Sequence, residues 1–295
     1  MKRLIINADD FGLTSGVNRA IAECYTQGVV TSTTLMASST AFPEAASLAD
    51  RFSAIDDSRQ PLSVGCHVML VDGEPLTPAA KVSSLLVPGT TRFRQGVAEF
   101  ARAALTGKID PEQVYAEACA QFSALRAAGI RISHFDTHKH THMFPNVLRP
   151  LLRAAREFGI RAVRNPFAPV KPLAFAHLMR RPRLWTRYTE VAILRRFSSP
   201  FRRAVEAAGT VTTDGSFGVV VTGALDRQLF EAIIGCMPDG TWEFVCHPGY
   251  NDSDLDKVQT RLRDSRHKEL AVLTCPSARE IIRQNGIELI SYNDL

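Results

Sequence analysis

Long apolar runs are missing from this 295-residue chain: none approaches the roughly 18–20 residues that a membrane-spanning helix needs. The opening MKRLIINADD has an apolar patch too short for a signal peptide, and acids break it. A cytoplasmic location is the expectation. The six cysteines (Cys24, Cys66, Cys119, Cys236, Cys246 and Cys275) include no C-x-x-C pair, so they read as free thiols in a reducing compartment. No internal repeat or low-complexity tract is present. A concentrated charge is lacking too: the net charge is +5 and the pI about 9.0, too modest to make nucleic acid the first partner to consider.

What remains is a recurring β–loop–α rhythm. Strands are predicted at 2–8, 29–38, 62–70, 131–136, 161–165, 217–223, 242–247 and 287–292. Helices are predicted at 15–28 (ending at Gly28), 43–52, 110–128, 146–158 (ending at Gly159) and 226–236. Asp110-Pro111-Glu112-Gln113 has an Asp N-cap, a Pro at the first helical position and a Gln at the third. Ser277-Ala278-Arg279-Glu280 reads as a capping box for a last helix. Strands alternating with helices imply a parallel sheet with right-handed crossovers. The length favours a distorted (β/α) barrel of the TIM type over an open sheet. Two segments interrupt the rhythm, at 72–109 and 166–216. Both are expected to emerge on the face where the strands end, and no domain boundary separates them from the rest.

The polar chemistry gathers at strand ends. Asn7, Asp9 and Asp10 follow the first strand, and His67 lies in the third. His134, Asp136, His138, His140 and His142 crowd the stretch after the fourth. Arg164 ends the fifth, and His247 opens CHPGY after a later one. Each has a plain reading alone: a core histidine, a solvated loop, a helix cap, a turn. A parallel β/α fold, however, brings the C-terminal ends of its strands to one place, so these segments make a single site. Imidazole and carboxylate together are a divalent-metal ligand set, and two His with one Asp leave positions open for water and substrate. Adjacent residues at a strand end point in different directions. One of Asp9 and Asp10 can therefore bind an ion while the other acts as a base.

With those residues in place, the sequence resembles the YdjC-like (ChbG-type) carbohydrate deacetylases. The stretches that carry the resemblance are INADDFGLTSGVNRAI, GVVTSTTLMASSTAF, VGCHVML, HFDTHKHTHMFP and CHPGY, in order over most of the chain. It implies a distorted β/α barrel that removes N-acetyl groups from amino sugars. It implies Asp10, His67 and His138 as metal ligands, Asp9 as general base and His247 as general acid. His140 and His142 align with family histidines and are grouped here with the substrate. The family is usually described with Mg2+, whereas imidazole ligands suit Zn2+. A subgroup acts near hopanoid assembly. Arg164 is expected to pair with Asp9 and keep it ionised, and Phe11 to wall the acetyl pocket. The competing functions are hydrolysis of another acyl amide or ester, and a non-catalytic sugar- or metal-binding protein. The last would need neither a free acid at Asp9 nor a proton donor at His247.

The insertion 166–216 matches nothing in that resemblance. Within it, residues 179–203 (MRRPRLWTRYTEVAILRRFSSPFRR) hold eight arginines and one acid among Leu184, Trp185, Tyr188, Ile193, Leu194 and Phe197. A lid, a homodimer contact and a helix lying on an anionic membrane all fit such a pattern.

Overall fold

The computed structural model describes residues 1–53, 60–171, 173 and 181–295. Eight parallel strands form one sheet: β1 (Lys2–Phe11), β2 (Ser32–Leu35), β3 (Ser63–Val68), β4 (His134–Thr137), β5 (Ala162–Val163), β6 (Gly215–Phe217), β7 (Gly240–Cys246) and β8 (Ile287–Ile290). The order is β5-β4-β3-β2-β1-β7-β6, and β8 pairs with the first half of β1 below β2. β5 and β6 do not pair directly. The gap between them is spanned by Val211, which exchanges backbone hydrogen bonds with Arg161 and Val163, and by Ser216, whose N–H donates to the Phe167 carbonyl. The result is the expected distorted barrel.

Helices cover the outside: α1 (Ser15–Thr26), α2 (Phe42–Ser53), α3 (Gly96–Leu105), α4 (Pro111–Ala127), α5 (Pro145–Glu157), α6 (Trp185–Leu194), α7 (Ser198–Ala207), α8 (Arg227–Gly235), α9 (Asp264–Thr274) and α10 (Pro276–Gln284). Strand alternation sorts the side chains. Leu4, Ile6 and Ala8 of β1 join the large apolar cluster beneath the helices. Ile5 instead meets Ala162, Ile290 and Tyr292 in a separate small cluster that plugs the lower lumen. Above that plug the lumen is polar. The His134 ring lies 3.6 Å from that of Tyr292, stacked on it, and its Nε2 is 3.2 Å from Asn7 Oδ1. Tyr292 donates its hydroxyl to Glu243 at 2.6 Å.

Four local readings change. The predicted strand 217–223 ends at Phe217. Gly218 has φ of 92°, and a Cβ there would press into the Val245 carbonyl, so the chain turns into a 3-10 segment at Val219–Val221. The capping box at Ser277 is not formed: Cys275 is the N-cap, Pro276 opens the helix, and Glu280 pairs with Arg283. Asp110 does cap α4, accepting from the Glu112 N–H at 2.9 Å. Gln113, however, turns outward to accept the Ser84 N–H at 2.7 Å. The two insertions, read as connections, carry α3, α6 and α7. In the second insertion Phe201 and Val205 of α7 are buried, whereas Trp185 and Ile193 of α6 are exposed. Met179 and Arg180 of the basic run lie outside the described residues. Among the described residues, no helix is long and apolar enough to cross a membrane.

Candidate active site

An irregularity in β1 builds the site. Ala8 pairs with Thr33 and Phe11 with Leu35, so β1 spends three steps where β2 spends two. The surplus residue forms a bulge, and Asp10 takes a left-handed φ of 69°. Asp tolerates that region better than most residues, although the conformation still costs on the order of 1 kcal/mol. The bulge re-aims the side chain. Asp9 and Asp10 therefore face neighbouring parts of one site, where a regular strand would send them to opposite faces.

Asp10, His67 and His138 come together. Asp10 Oδ1 lies 3.5 Å from His67 Nε2 and 3.5 Å from His138 Nδ1, and the two ring nitrogens are 3.2 Å apart. An ion held at about 2.0–2.1 Å from each ligand needs neighbouring donors roughly 3–3.5 Å apart. Asp10 Oδ1 is buried and has no hydrogen-bond partner among the described residues. A lone carboxylate oxygen facing two imidazole nitrogens fits a divalent cation. His67 is oriented from behind, since its Nδ1 is 2.7 Å from Asp136 Oδ1. That is the carboxylate–histidine pairing which fixes tautomer and ring direction in metal sites. The His138 side chain is 22% exposed and forms the open side, beside Asp72, to which Lys139 is ion-paired.

Burial alone would lower the His67 pKa, but Asp136, Asp9 and Asp10 outweigh it and raise it to about 9. The metal-free ring is thus protonated at neutral pH, and ion binding needs its Nε2 bare. Uptake of Mg2+ or Zn2+ at pH 7–8 should therefore release about one proton, and affinity should fall as pH drops further below 9. Calorimetry in buffers of different ionisation enthalpy measures this. Proton-neutral uptake at pH 7 would contradict it.

Asp9 is held differently. Arg164 grips it with both amino groups, Nη1 to Oδ2 at 2.7 Å and Nη2 to Oδ1 at 2.6 Å. Asn7 adds a bond to Oδ1 at 2.9 Å. Burial would raise this carboxyl, yet the Arg164 charge prevails and keeps it far below the usual carboxylate range. Oδ2 has the freer side, and His247 Nε2 stands 3.8 Å from it. His247 is partly exposed, and its backbone N–H donates to Glu269 at 2.5 Å.

The residues grouped with the substrate divide. Phe11, His142 and Arg164 are each 0% exposed. Phe11 belongs to the apolar core. His142 packs its Nδ1 2.7 Å from Thr137 Oγ1 and its Nε2 3.2 Å from the Arg164 carbonyl. With both nitrogens engaged, it braces the loop after β4 and leaves no face for a sugar. Burial lowers its pKa to about 4, consistent with a neutral ring. Arg164 stands behind Asp9, also bonded to Glu243 at 2.8 Å and ion-paired to Asp136. His140 alone of the four is partly exposed, on a left-handed turn (φ 55°), and its Nδ1 has no hydrogen-bond partner among the described residues.

Sequence reasoning assigned no role to Asp136, Glu243, Glu269 or Arg266. Glu243 was within reach: an acid in the apolar strand WEFVC, alternating with core positions, needs a buried cation. Asp136 stands likewise in HFD. Arg266 and Glu269 carry no such signal in sequence. They sit on α9, a segment whose charged run DSRHKE shows no helical apolar period in sequence.

A profile of the YdjC-like protein family matches residues 3–284. Proteins named carbohydrate deacetylase from Brevibacillus brevis and Homo sapiens are 30% and 31% identical to the chain; the alignments cover 99% of it in both cases and 99% and 91% of the relatives. A crystal structure from Enterococcus faecalis, titled a putative cellobiose-phosphate cleavage protein, superposes with a TM-score of 0.73 at 26% identity, covering 99% of this chain and 98% of that one. Matched along nearly its whole length, and by relatives of its own size, the chain belongs to the YdjC-like family.

Proposed function

We propose that this chain is a metal-dependent deacetylase that hydrolyses the N-acetyl group of an amino sugar. The observation that carries the reading is the contrast between two adjacent carboxylates. Asp10 turns an unpaired oxygen toward His67 and His138, while Asp9 is kept ionised by Arg164 beside them. The names of the relatives supply the substrate class. Asp10, His67 and His138 would hold the ion. Mg2+ follows from the family resemblance, and Zn2+ from the two imidazoles. When bound, such an ion supplies Lewis acidity to water and to an acyl oxygen.

The chain's own residues do the rest. Asp9 accepts the proton of the attacking water on Oδ2, the oxygen with the freer lone pair. Arg164 holds that carboxylate in place and ionised before the reaction. Asp136 keeps the His67 ring aimed. His247, on the same side as Asp9 Oδ2, donates a proton to the departing sugar nitrogen. Proton transfers of this kind each contribute ~10²–10⁴-fold.

Asp9→Asn should therefore keep its divalent ion and lose turnover by ~10²–10⁴-fold. Elemental analysis and acetate release from chitobiose-type sugars, measured on the same preparation, test both halves. A metal-loaded wild-type protein that releases no acetate from any N-acetylated sugar would defeat the substrate assignment. Near-normal turnover by Asp9→Asn would defeat the base assignment alone.

A further inference from the structure

Arg266 stands at the third position of α9, where a helix N-terminus disfavours a cation. It is nevertheless 1% exposed, one of the largest fully buried side chains in the protein. Such a placement needs a carboxylate partner, and the partner is Asp10: Arg266 Nη2 donates to Asp10 Oδ2 at 2.5 Å. The other Asp10 oxygen is the one facing His67 and His138. The guanidinium is itself fixed, because Nε donates to the Leu262 carbonyl at 3.1 Å. Room for its stem comes from Gly249, where a Cβ would lie 2.9 Å from Arg266 Cδ. The same glycine donates its N–H to the Arg266 carbonyl at 3.2 Å. One turn on, Glu269 accepts the His247 N–H at 2.5 Å. Two side chains three residues apart on one helix thus grip the ligand carboxylate and the loop that carries His247.

We infer that Arg266 is a positioning residue for the metal site: it holds Asp10 Oδ2 so that Oδ1 presents to the ion. This rests on the metal-dependent reading above. A bare positive charge so near would repel a dication, so any gain comes from orientation. Lysine supplies the charge without the planar, pinned geometry. Outer partners of metal ligands are worth ~10–100-fold in metal affinity.

The test is Mn2+ binding by calorimetry or paramagnetic resonance, on wild type, Arg266→Lys and Arg266→Gln, each checked for folding by thermal unfolding without metal. Arg266→Lys keeps a cation against Asp10 and is expected to fold. It should bind Mn2+ at least ~10-fold more weakly than wild type. Arg266→Gln should be as weak or weaker wherever it folds. Wild-type affinity in the folded Arg266→Lys protein would overturn the inference and leave the metal site standing. Tighter binding by Arg266→Gln would do the same, because it would show that Arg266 acts only as a repelling charge. A wild-type protein that takes up no Mn2+ would overturn both this inference and the metal-dependent reading.

Discussion

Asp10→Ala is expected to abolish divalent-ion binding at the proposed site and to reduce acetate release by about 10³-fold or more. The size follows from what is removed. A Lewis acid supplies several kcal/mol of charge stabilisation, and each 1.4 kcal/mol is a factor of ten in rate. His67 and His138 stay in place, but two imidazoles without the carboxylate are a weaker set for any hard cation. The change also leaves Arg266 buried without its partner, so a loss of stability is expected alongside. Asp10→Asn separates the two effects, because it preserves the volume and an oxygen for Arg266 while weakening the ligand. Metal content by elemental analysis and acetate release are measured on both variants. Stoichiometric metal in folded Asp10→Ala would remove Asp10 from the ligand set.

The second large effect belongs to Arg164. It is 0% exposed and meets Asp9, Asp136 and Glu243 at once. Arg164→Met fills a similar volume but leaves three buried carboxylates facing one another without that cation. Removing one member of a buried ion pair costs about 3–5 kcal/mol, a large share of the ~5–15 kcal/mol that holds a typical domain folded. The loss should be larger at pH 8 than at pH 5, since protonation relieves unpaired acids. In the intact protein Glu243 is already raised above its ordinary value by burial, which exceeds the opposing pull of Arg164. Urea unfolding at the two pH values checks the prediction. A variant that loses under about 1 kcal/mol would mean that the three acids are satisfied by other groups.

The strand ends were legible because a parallel barrel has one rule for them: distant pieces that finish strands finish together. That rule brought Asp9, Asp10, His67, His138 and His247 to one place from four segments. What the rule does not convey is depth. Whether a residue near a strand end opens to the pocket or sits beneath it depends on barrel stagger. This is why Phe11, His142 and Arg164 fall behind the site, although Phe11 and Arg164 are as close to strand ends in sequence as His138. Arg266 was hidden for another reason. In DSRHKEL it stands among charged neighbours and reads as one more solvated arginine. Only the packing of α9 against the barrel mouth, 256 residues from Asp10, shows it to be buried.

The surplus residue in β1 links geometry to ancestry. Because β1 runs three steps against two on β2 between Ala8 and Phe11, dropping a single codon at Asp10 would leave the strand in even pairing. Such a deletion would smooth the sheet and remove the carboxylate proposed to bind the ion in one event. A paralogue that had lost the proposed ion site this way would show a shortened spacing between Ala8 and Phe11, and a neutral residue in place of Arg266 to offset the lost carboxylate.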